Sequence, residues 1–376
     1  MTTPLKLALI RQRYTPFGGA ERFVARAMQA LQAQGAAVTI VTRRWDAAKA
    51  GDALICNPFY LGSLWRDWGF ARGVCRMLAR QNFDLVQSHE RIACCDIYRA
   101  GDGVHREWLT QRARVLNPIQ RLGVMLSPYH RYVLAAERRL FASPQLKAVI
   151  CNSRMVKEEI QRHFGVPEER LHVIYSGVDL EAFHPRLKET HRQSIRTQLG
   201  LPGDATLFLF VGSGFERKGL AALLHALAEQ PSSAQLAVIG HDRRARDYRH
   251  LAAQLGVAKR VHFLGPRADV KPYYGAADAL VLPTLYDPFP NAALEALACG
   301  LPVITSAKSG AAELIRDGEN GFVCDALDRR ALVQALRALL EGRAESMRGA
   351  ARATVAALSL EAMAAQLGTL YRTLSA

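Results

Sequence analysis

Two carboxylates eight residues apart, Asp287 and Glu295, lie in the run Asp-Pro-Phe-Pro-Asn-Ala-Ala-Leu-Glu at residues 287–295. Pro288 and Pro290 favour an extended or turning chain, and Asn291 is suited to cap a helix. Residues 292–299 suit the body of that helix, Gly300 stops it, and Pro302 keeps it from resuming. Carboxylates accept hydrogen bonds from hydroxyls, while the free N–H groups of a helix start hold anions. A sugar joined to a diphosphate fits both halves of such a site; a capped surface helix with two solvated acids fits the same residues. A second constellation, Gly-Ser-Gly-Phe-Glu-Arg-Lys-Gly at residues 212–219, reads as a turn that places Arg217 and Lys218 between a strand and a helix. Arg grips phosphate through two parallel hydrogen bonds and Lys acts as a point charge. A basic pair at a helix start is unfavourable unless an anion is nearby, so we read it as a diphosphate grip over an ordinary basic turn.

The elements that must position these residues alternate along the chain. Residues 5–10 read as a strand, followed by Thr-Pro-Phe-Gly-Gly-Ala-Glu-Arg and an amphipathic helix over about 21–34. Gly18 and Gly19 allow the backbone close to a ligand because no Cβ intervenes, although a glycine pair also makes a plain tight turn. Further strands are expected at 38–42, 84–88, 97–99 and 146–152, and Ser153 caps a helix to about 164. Polar residues at the carboxyl ends of parallel strands line the ligand site in doubly wound folds. His89 and Glu90 stand there, as do Asp102 and His105 in Ala-Gly-Asp-Gly-Val-His. We expect Asp102 and His105 to touch the donor sugar or an acceptor hydroxyl, with His89 behind them; a lone histidine is equally a structural hydrogen-bonding group.

After residues 171–185, which supply a strand, a glycine turn and a proline, the alternation begins afresh. Strands are expected at 206–211, 236–240, 261–264, 279–282 and 303–305, with helices at 220–229 and 244–255 and a short one near 269–277. From 329 onward the chain is alanine-rich and amphipathic. The fold class expected is α/β, with two Rossmann-like doubly wound domains facing a cleft. The domains run over 1–175 and 176–357, followed by a final segment at 358–376.

The chain of 376 residues is 49% apolar and 22% charged, which excludes disorder and allows two cores. No run of eighteen uncharged apolar residues occurs, so no spanning helix is expected. Seven scattered cysteines without paired metal-ligand spacing, and no secretory signal, point to free thiols in a reducing cytoplasm. The net charge of +15 is uneven: residues 1–175 hold 26 Lys and Arg against 14 Asp and Glu. The first half therefore faces something anionic, be it nucleic acid, a membrane surface or a phosphorylated acceptor. Between residues 106 and 139, seven arginines and two glutamates interleave with aromatic and apolar residues. Arg106, Trp108, Arg112, Arg114 and Arg121 suit an anionic bilayer surface, and a solvated helix face over a core is the alternative. No zinc-finger spacing or aromatic ribonucleoprotein motif supports nucleic acid as a partner.

The segment from Asp287 to Glu295 resembles the E-x7-E element of the retaining glycosyltransferases of family 4, with Asp287 in place of the first glutamate. The resemblance extends to Pro-Phe-Gly-Gly near the start, Ala-Gly-Asp-Gly-Val-His, the Arg217 and Lys218 turn, and Ala-Leu-Glu-Ala-Leu-Ala-Cys-Gly-Leu-Pro-Val, all in the family's order. It implies the GT-B fold, with a hinge at residues 176–185 and the last helix packing back on the first domain. It further implies that Asp287 contacts the transferred sugar, Glu295 and Asn291 help to hold the nucleotide sugar, and Glu295 takes its ribose. Arg217 and Lys218 would neutralise the diphosphate, and Gly18, Gly19 and Glu21 would form the N-terminal donor loop. Some members carry an arginine where Ser213 stands, which leaves that work to Arg217. No Asp-x-Asp occurs, so no metal or other cofactor is expected. Retention would follow the front-side route proposed for the family, in which the leaving phosphate helps to deprotonate the acceptor.

Within the family the likeness is greatest to the lipopolysaccharide core glucosyltransferases, which add glucose from UDP-glucose to inner-core heptose. A UDP-sugar, a lipid-linked saccharide and the inner face of the anionic inner membrane are the partners so implied. Another sugar, such as galactose, mannose or N-acetylglucosamine, for O-antigen, capsule or glycolipid remains an alternative. A non-catalytic basic module binding nucleic acid or anionic lipid is the alternative from another class, but it gives Asp287, Glu295 and the Arg217 turn no joint role.

Overall fold

The computed structural model describes residues 5–12, 36–44 and 52–375. Contacts divide the chain into two units, Met1–Ser176 with Leu360–Ala376, and Gly177–Ser359.

The first unit is built on a parallel sheet of seven strands in the order β3-β2-β1-β4-β5-β6-β7. These are β1 (Lys6–Ile10), β2 (Ala37–Thr42), β3 (Asp52–Ile55), β4 (Leu85–Ser88), β5 (Ile97–Arg99), β6 (Ala148–Cys151) and β7 (Leu171–Val173). Strands covered on both faces need apolar side chains throughout, and Ala148, Val149, Ile150 and Cys151 of β6 are all fully buried. The helix Leu360–Ser375 belongs to this unit. Its Met363, Leu367, Leu370 and Tyr371 pack with Leu7, Leu9, Val38, Ile40 and Leu85, and Tyr371 Oη donates to Gln87 Oε1 at 2.6 Å. Spacings of three and four residues put those four side chains on one helical face.

The second unit holds six parallel strands in the order β10-β9-β8-β11-β12-β13. They are β8 (Thr206–Val211), β9 (Ala234–Ile239), β10 (Val261–Gly265), β11 (Ala279–Leu282), β12 (Val303–Ser306) and β13 (Gly321–Cys324). The order runs outward one way from β8 through β9 to β10, then the other way from β11. The topological switch point, where ligands collect in doubly wound sheets, therefore lies between β8 and β11.

Several elements differ from the sequence reading. Strands β3 and β13 and the helices Gly62–Leu78 and Leu187–Gln198 carry no clear signal. The helix Gly62–Leu78 shows why: only Phe70 and Val74 of its 17 residues are buried, too few to write a periodic stripe. Residues 212–219 are not a plain turn but hold a one-turn helix, Phe215–Lys218, between two glycines with left-handed φ. The expectation of free thiols fails for one pair: Cys75, near the end of Gly62–Leu78, and Cys94, after β4, form a disulfide across 19 positions. That pairing is created by the approach of helix and loop, which spacing alone does not reveal. Among the described residues, no helix is long and apolar enough to cross a membrane. Gly18, Gly19 and Glu21 lie outside the described residues.

Candidate functional site

Lys218 and Asp287 meet at the switch point of the second sheet. The chain leaves β8 through Gly212, Ser213 and Gly214 into the one-turn helix, which ends on Lys218 and Gly219. Phe215 makes three of the contacts that hold this loop. Phe215 packs edge-on against Phe210 and Tyr248, with ring centroids 5.8 and 5.4 Å apart, and its backbone N–H donates to Asp242 Oδ2 at 2.7 Å. Two glycines make the path possible. Gly219 has φ +78°, and a Cβ there would fall 1.9 Å from the carbonyl oxygen of Pro283. A Cβ on Gly212 would lie 2.8 Å from Lys218 Cε, so that glycine leaves the room the lysine stem occupies.

Asp287 arrives from the neighbouring strand, β11. Its backbone N–H donates to Lys308 O and its carbonyl accepts from Gly310 N–H, both at 2.9 Å. These bonds tie the turn after β11 to the turn after β12. Lys218 Nζ donates to Asp287 Oδ2 at 2.6 Å, and both residues are buried. Burial by itself pushes the Asp287 carboxyl up, but Lys218, Arg217 and the Phe289 backbone N–H outweigh it and hold the group below its ordinary value. The carboxylate is therefore ionised at physiological pH and able to accept from a hydroxyl. A buried charge pair is costly to assemble and contributes little net stability. Arg217 is partly exposed beside it.

The helix Asn291–Ala298 begins three residues after Pro288. Asn291 does not cap it, contrary to the expectation. Pro290 occupies the N-cap with extended φ and ψ and makes no side-chain cap bond. A proline ring has no acceptor, so no side chain caps the N–H groups of Asn291 and Ala292, which can face an anion, while Ala293 N–H donates to Pro290 O at 3.0 Å. Asn291 is the first helical residue and is partly exposed. Glu295, one turn on and buried, accepts from Tyr274 Oη at 2.8 Å through Oε2. Tyr274 stands on the short helix Lys271–Ala276, packs edge-on against Phe183, and also donates to Ala292 O at 3.3 Å. Sequence reasoning missed Tyr274. Its only trace is a tyrosine pair just before β11, which periodicity does not distinguish from core.

Beside this cluster, at the carboxyl ends of β9 and β10, lies a pocket of about 470 Å³ lined by Phe215, His241, Asp242, Arg243, Arg246 and Arg249, among others. Phe215 is shared: it lines the pocket while its backbone anchors the Lys218 loop. The pocket residues after β9 are polar and basic without a recognisable motif, and the sequence reading passed over them.

In the first unit, His105 opens the helix His105–Ala113. Asp102, in the turn just before it, is exposed and lies 4.0 Å from Arg91 Nη1. His89 is buried against Gln87, 3.0 Å between the two side-chain nitrogens, and desolvation followed by Arg99 and Arg11 keeps it well below the usual histidine range. It is therefore neutral at physiological pH and held by Gln87.

The basic stretch divides in two. The helix Pro118–Leu126 buries none of its residues, and Ile119, Met125 and Leu126 are 83%, 67% and 60% exposed. Arg121, on that helix, donates to Leu116 O. Arg106 and Arg114 are exposed, while Arg112 lies over the Trp108 ring at 5.9 Å. By contrast, the helix Pro128–Phe141 packs inward through Val133, Ala136, Glu137 and Leu140.

The two halves match two families. Residues 17–182 match Glycosyltransferase Family 4 and residues 191–354 match Glycosyl transferases group 1. The chain is 30% identical over 391 residues to a D-inositol 3-phosphate glycosyltransferase of Xylanimonas cellulosilytica, covering 94% of this chain and 91% of that one. It is 28% identical over 323 residues to the lipopolysaccharide glucosyltransferase WaaG of Escherichia coli, covering 84% of each. The crystal structure of WaaG, a glycosyltransferase involved in lipopolysaccharide biosynthesis, superposes with a TM-score of 0.85 at 26% identity, covering 97% of this chain and 99% of that one. With two doubly wound parallel sheets, both family matches and full-length relatives in agreement, the chain belongs to the GT-B glycosyltransferases of group 1 and family 4 and is a glycosyltransferase.

Proposed function

We propose that this chain is a retaining, metal-independent glucosyltransferase that moves glucose from UDP-glucose to an inner-core heptose of lipopolysaccharide. The observation that carries this reading is the Lys218 and Asp287 contact beside Arg217, at the switch point of the second sheet and next to an uncapped helix start. Breaking the bond between the anomeric carbon and the diphosphate puts negative charge on the leaving oxygen and positive charge on the ring. Cations are needed at the first and hydrogen-bond acceptors near the second. Lys218 has three donors, so it serves Asp287 and a diphosphate oxygen together. Arg217, the first-turn amides and Asn291 take the remaining oxygens. Asp287 accepts from a hydroxyl of the transferred sugar, and Glu295, oriented by Tyr274, accepts from the ribose. The pocket after β9 and β10 receives the nucleobase.

Asp102 and His105 serve the acceptor side or the transferred sugar. The acceptor hydroxyl attacks on the face the leaving group departs from, and its proton passes to the leaving phosphate. Similarity over 84% of both chains to the E. coli glucosyltransferase supports glucose and a lipopolysaccharide acceptor. A second reading, transfer onto a phosphorylated polyol, is favoured by the 30% identity to a D-inositol 3-phosphate glycosyltransferase.

The test is turnover of a donor panel in EDTA, with heptosylated lipopolysaccharide and D-inositol 3-phosphate as competing acceptors. UDP-glucose and the lipopolysaccharide acceptor are expected to be preferred, with the rate unaffected by the chelator. Activity abolished by EDTA, or restricted to another nucleotide sugar, would falsify this assignment.

The enzyme would work on the cytoplasmic face of the inner membrane. The unburied helix Pro118–Leu126 and Arg106, Trp108, Arg112, Arg114 and Arg121 would lie against anionic lipid. At about 1 kcal/mol per basic residue, replacing Arg112, Arg114 and Arg121 together with Gln is expected to weaken binding to anionic vesicles on the order of 100-fold. UDP affinity should not change. Equal vesicle binding by the triple variant ends the membrane assignment.

A further inference from the structure

Two helices of the first unit converge on one histidine. The His105 backbone N–H donates to Glu137 Oε1 at 2.8 Å, and its ring Nε2 lies 3.0 Å from His130 Nδ1. Both partners belong to the helix Pro128–Phe141. Seven residues are two helical turns, so His130 and Glu137 project from one face, with buried Val133 between them. Glu137 is 1% exposed, and the same Oε1 accepts from Arg91 Nε at 2.8 Å. Arg91 in turn donates to Gly103 O at 3.2 Å, inside the turn that leads to His105. One buried carboxylate thus fixes the backbone of His105 and, through Arg91, the turn before it. The orientation of the ring is left to His130.

A hydrogen bond between two imidazoles holds a single proton between two nitrogens. When His130 Nδ1 carries it, His105 Nε2 accepts, and the proton of neutral His105 sits on Nδ1, which becomes a donor. When His105 Nε2 carries it, His105 Nδ1 presents a lone pair instead. Burial, Arg91 and His130 bring His105 down to about 3, and burial with Arg112 lowers His130. Both rings are therefore neutral at physiological pH, so tautomer rather than charge decides what His105 offers.

We propose that His130 is a positioning residue that sets the tautomer of His105, and so whether His105 Nδ1 donates to or accepts from a sugar hydroxyl. The proposal rests on His105 touching the transferred sugar or the acceptor hydroxyl. His130 and Glu137 fall within the basic stretch that reads as membrane surface from sequence, yet in the fold they hold the first residue of the helix His105–Ala113.

An asparagine amide occupies the place of imidazole Nδ1, so His130→Asn keeps a partner for His105 Nε2, whereas His130→Ala removes it and leaves Glu137 in place. The readouts are UDP release from UDP-glucose with heptosylated lipopolysaccharide as acceptor, UDP affinity by calorimetry, and ring nitrogen shifts of the full-length protein labelled with ¹⁵N-histidine. His105→Ala would assign the His105 signals. Losing one neutral hydrogen bond, His130→Ala is expected to lower kcat by about three- to tenfold, with UDP affinity unchanged. His130→Asn should restore most of that loss, and the His105 tautomer pattern should change in the alanine variant alone. Equal losses in both variants, or identical His105 shifts in wild type and His130→Ala, overturn the proposal. The nitrogen shifts need no turnover, so a protein that releases no UDP from UDP-glucose in the presence of acceptor would defeat the transferase reading while the spectra still decide the role of His130.

Discussion

Replacing Lys218 with Met is expected to reduce kcat on the order of 100- to 1,000-fold, the range for removing one preorganised donor from a developing negative charge. Methionine keeps most of the stem that fills the space over Gly212, so packing changes little. The charge change is larger. Asp287 is left buried with Arg217 as the remaining nearby cation, and breaking a buried pair on one side costs about 3–5 kcal/mol. The pH dependence follows from the sign of the Asp287 shift. In the wild type its folded value is depressed, so its contribution is complete above the unfolded value, about 3.9, and is lost as pH falls through the folded value. Between pH 5 and 8 this group leaves wild-type stability flat.

In the variant, burial, the largest single influence on the group, is expected to outweigh Arg217 and the Phe289 N–H and to raise the folded value above the unfolded one. The penalty then holds at neutral pH and shrinks as acid protonates the carboxyl. Urea unfolding of both proteins at pH 7 and pH 4.5 should therefore show a gap that narrows at the lower pH. A gap independent of pH, or kcat within threefold of wild type, would remove Lys218 from its assigned role.

Glu295→Gln is expected to lose about 1.5–3 kcal/mol of UDP binding, the range for hydrogen bonds to a charged group, which is roughly 10- to 150-fold in Kd. Tyr274→Phe should lose less, about 0.5–1.5 kcal/mol, because it deletes the donor that orients Glu295 and leaves the carboxylate itself. Calorimetric titration with UDP measures both. The order matters as much as the size: the ribose assignment requires Glu295 to outrank Tyr274. Unchanged affinity in Glu295→Gln would take that residue out of the nucleotide site.

Strong, local signals were readable before any coordinates. Leu207–Val211 is apolar throughout, the stretch from Thr206 follows a Pro-Gly turn and is succeeded by Gly212, and it forms β8 as expected. Ser153 caps the helix Arg154–Phe164, accepting from Val156 N–H, and Gly165 closes it with φ +62°. Signals failed where an element is specified by its neighbours. Asp-Ala-Leu-Ile of β3 is too short to show alternation, and Gly62–Leu78 buries too little to show a stripe. Asn291 was misplaced by one position because its cap propensity competes with Pro290, whose fixed φ already suits the residue before a helix.

The order of strands and helices, the identity of Asp287, Glu295, Arg217 and Lys218 as the residues of interest, and the doubly wound class are all properties of the linear chain, because hydrophobic period, turn residues and charge are local. Which of these meet is not local. Lys218 and Asp287 are 69 positions apart and touch because β8 and β11 are neighbours across the switch point. Tyr274 reaches Glu295, and Glu137 and His130 reach His105, only once helices pack. Burial is likewise a tertiary property: it keeps His105 neutral, and Asp287 stays charged against it only because the fold brings Lys218 and Arg217 alongside.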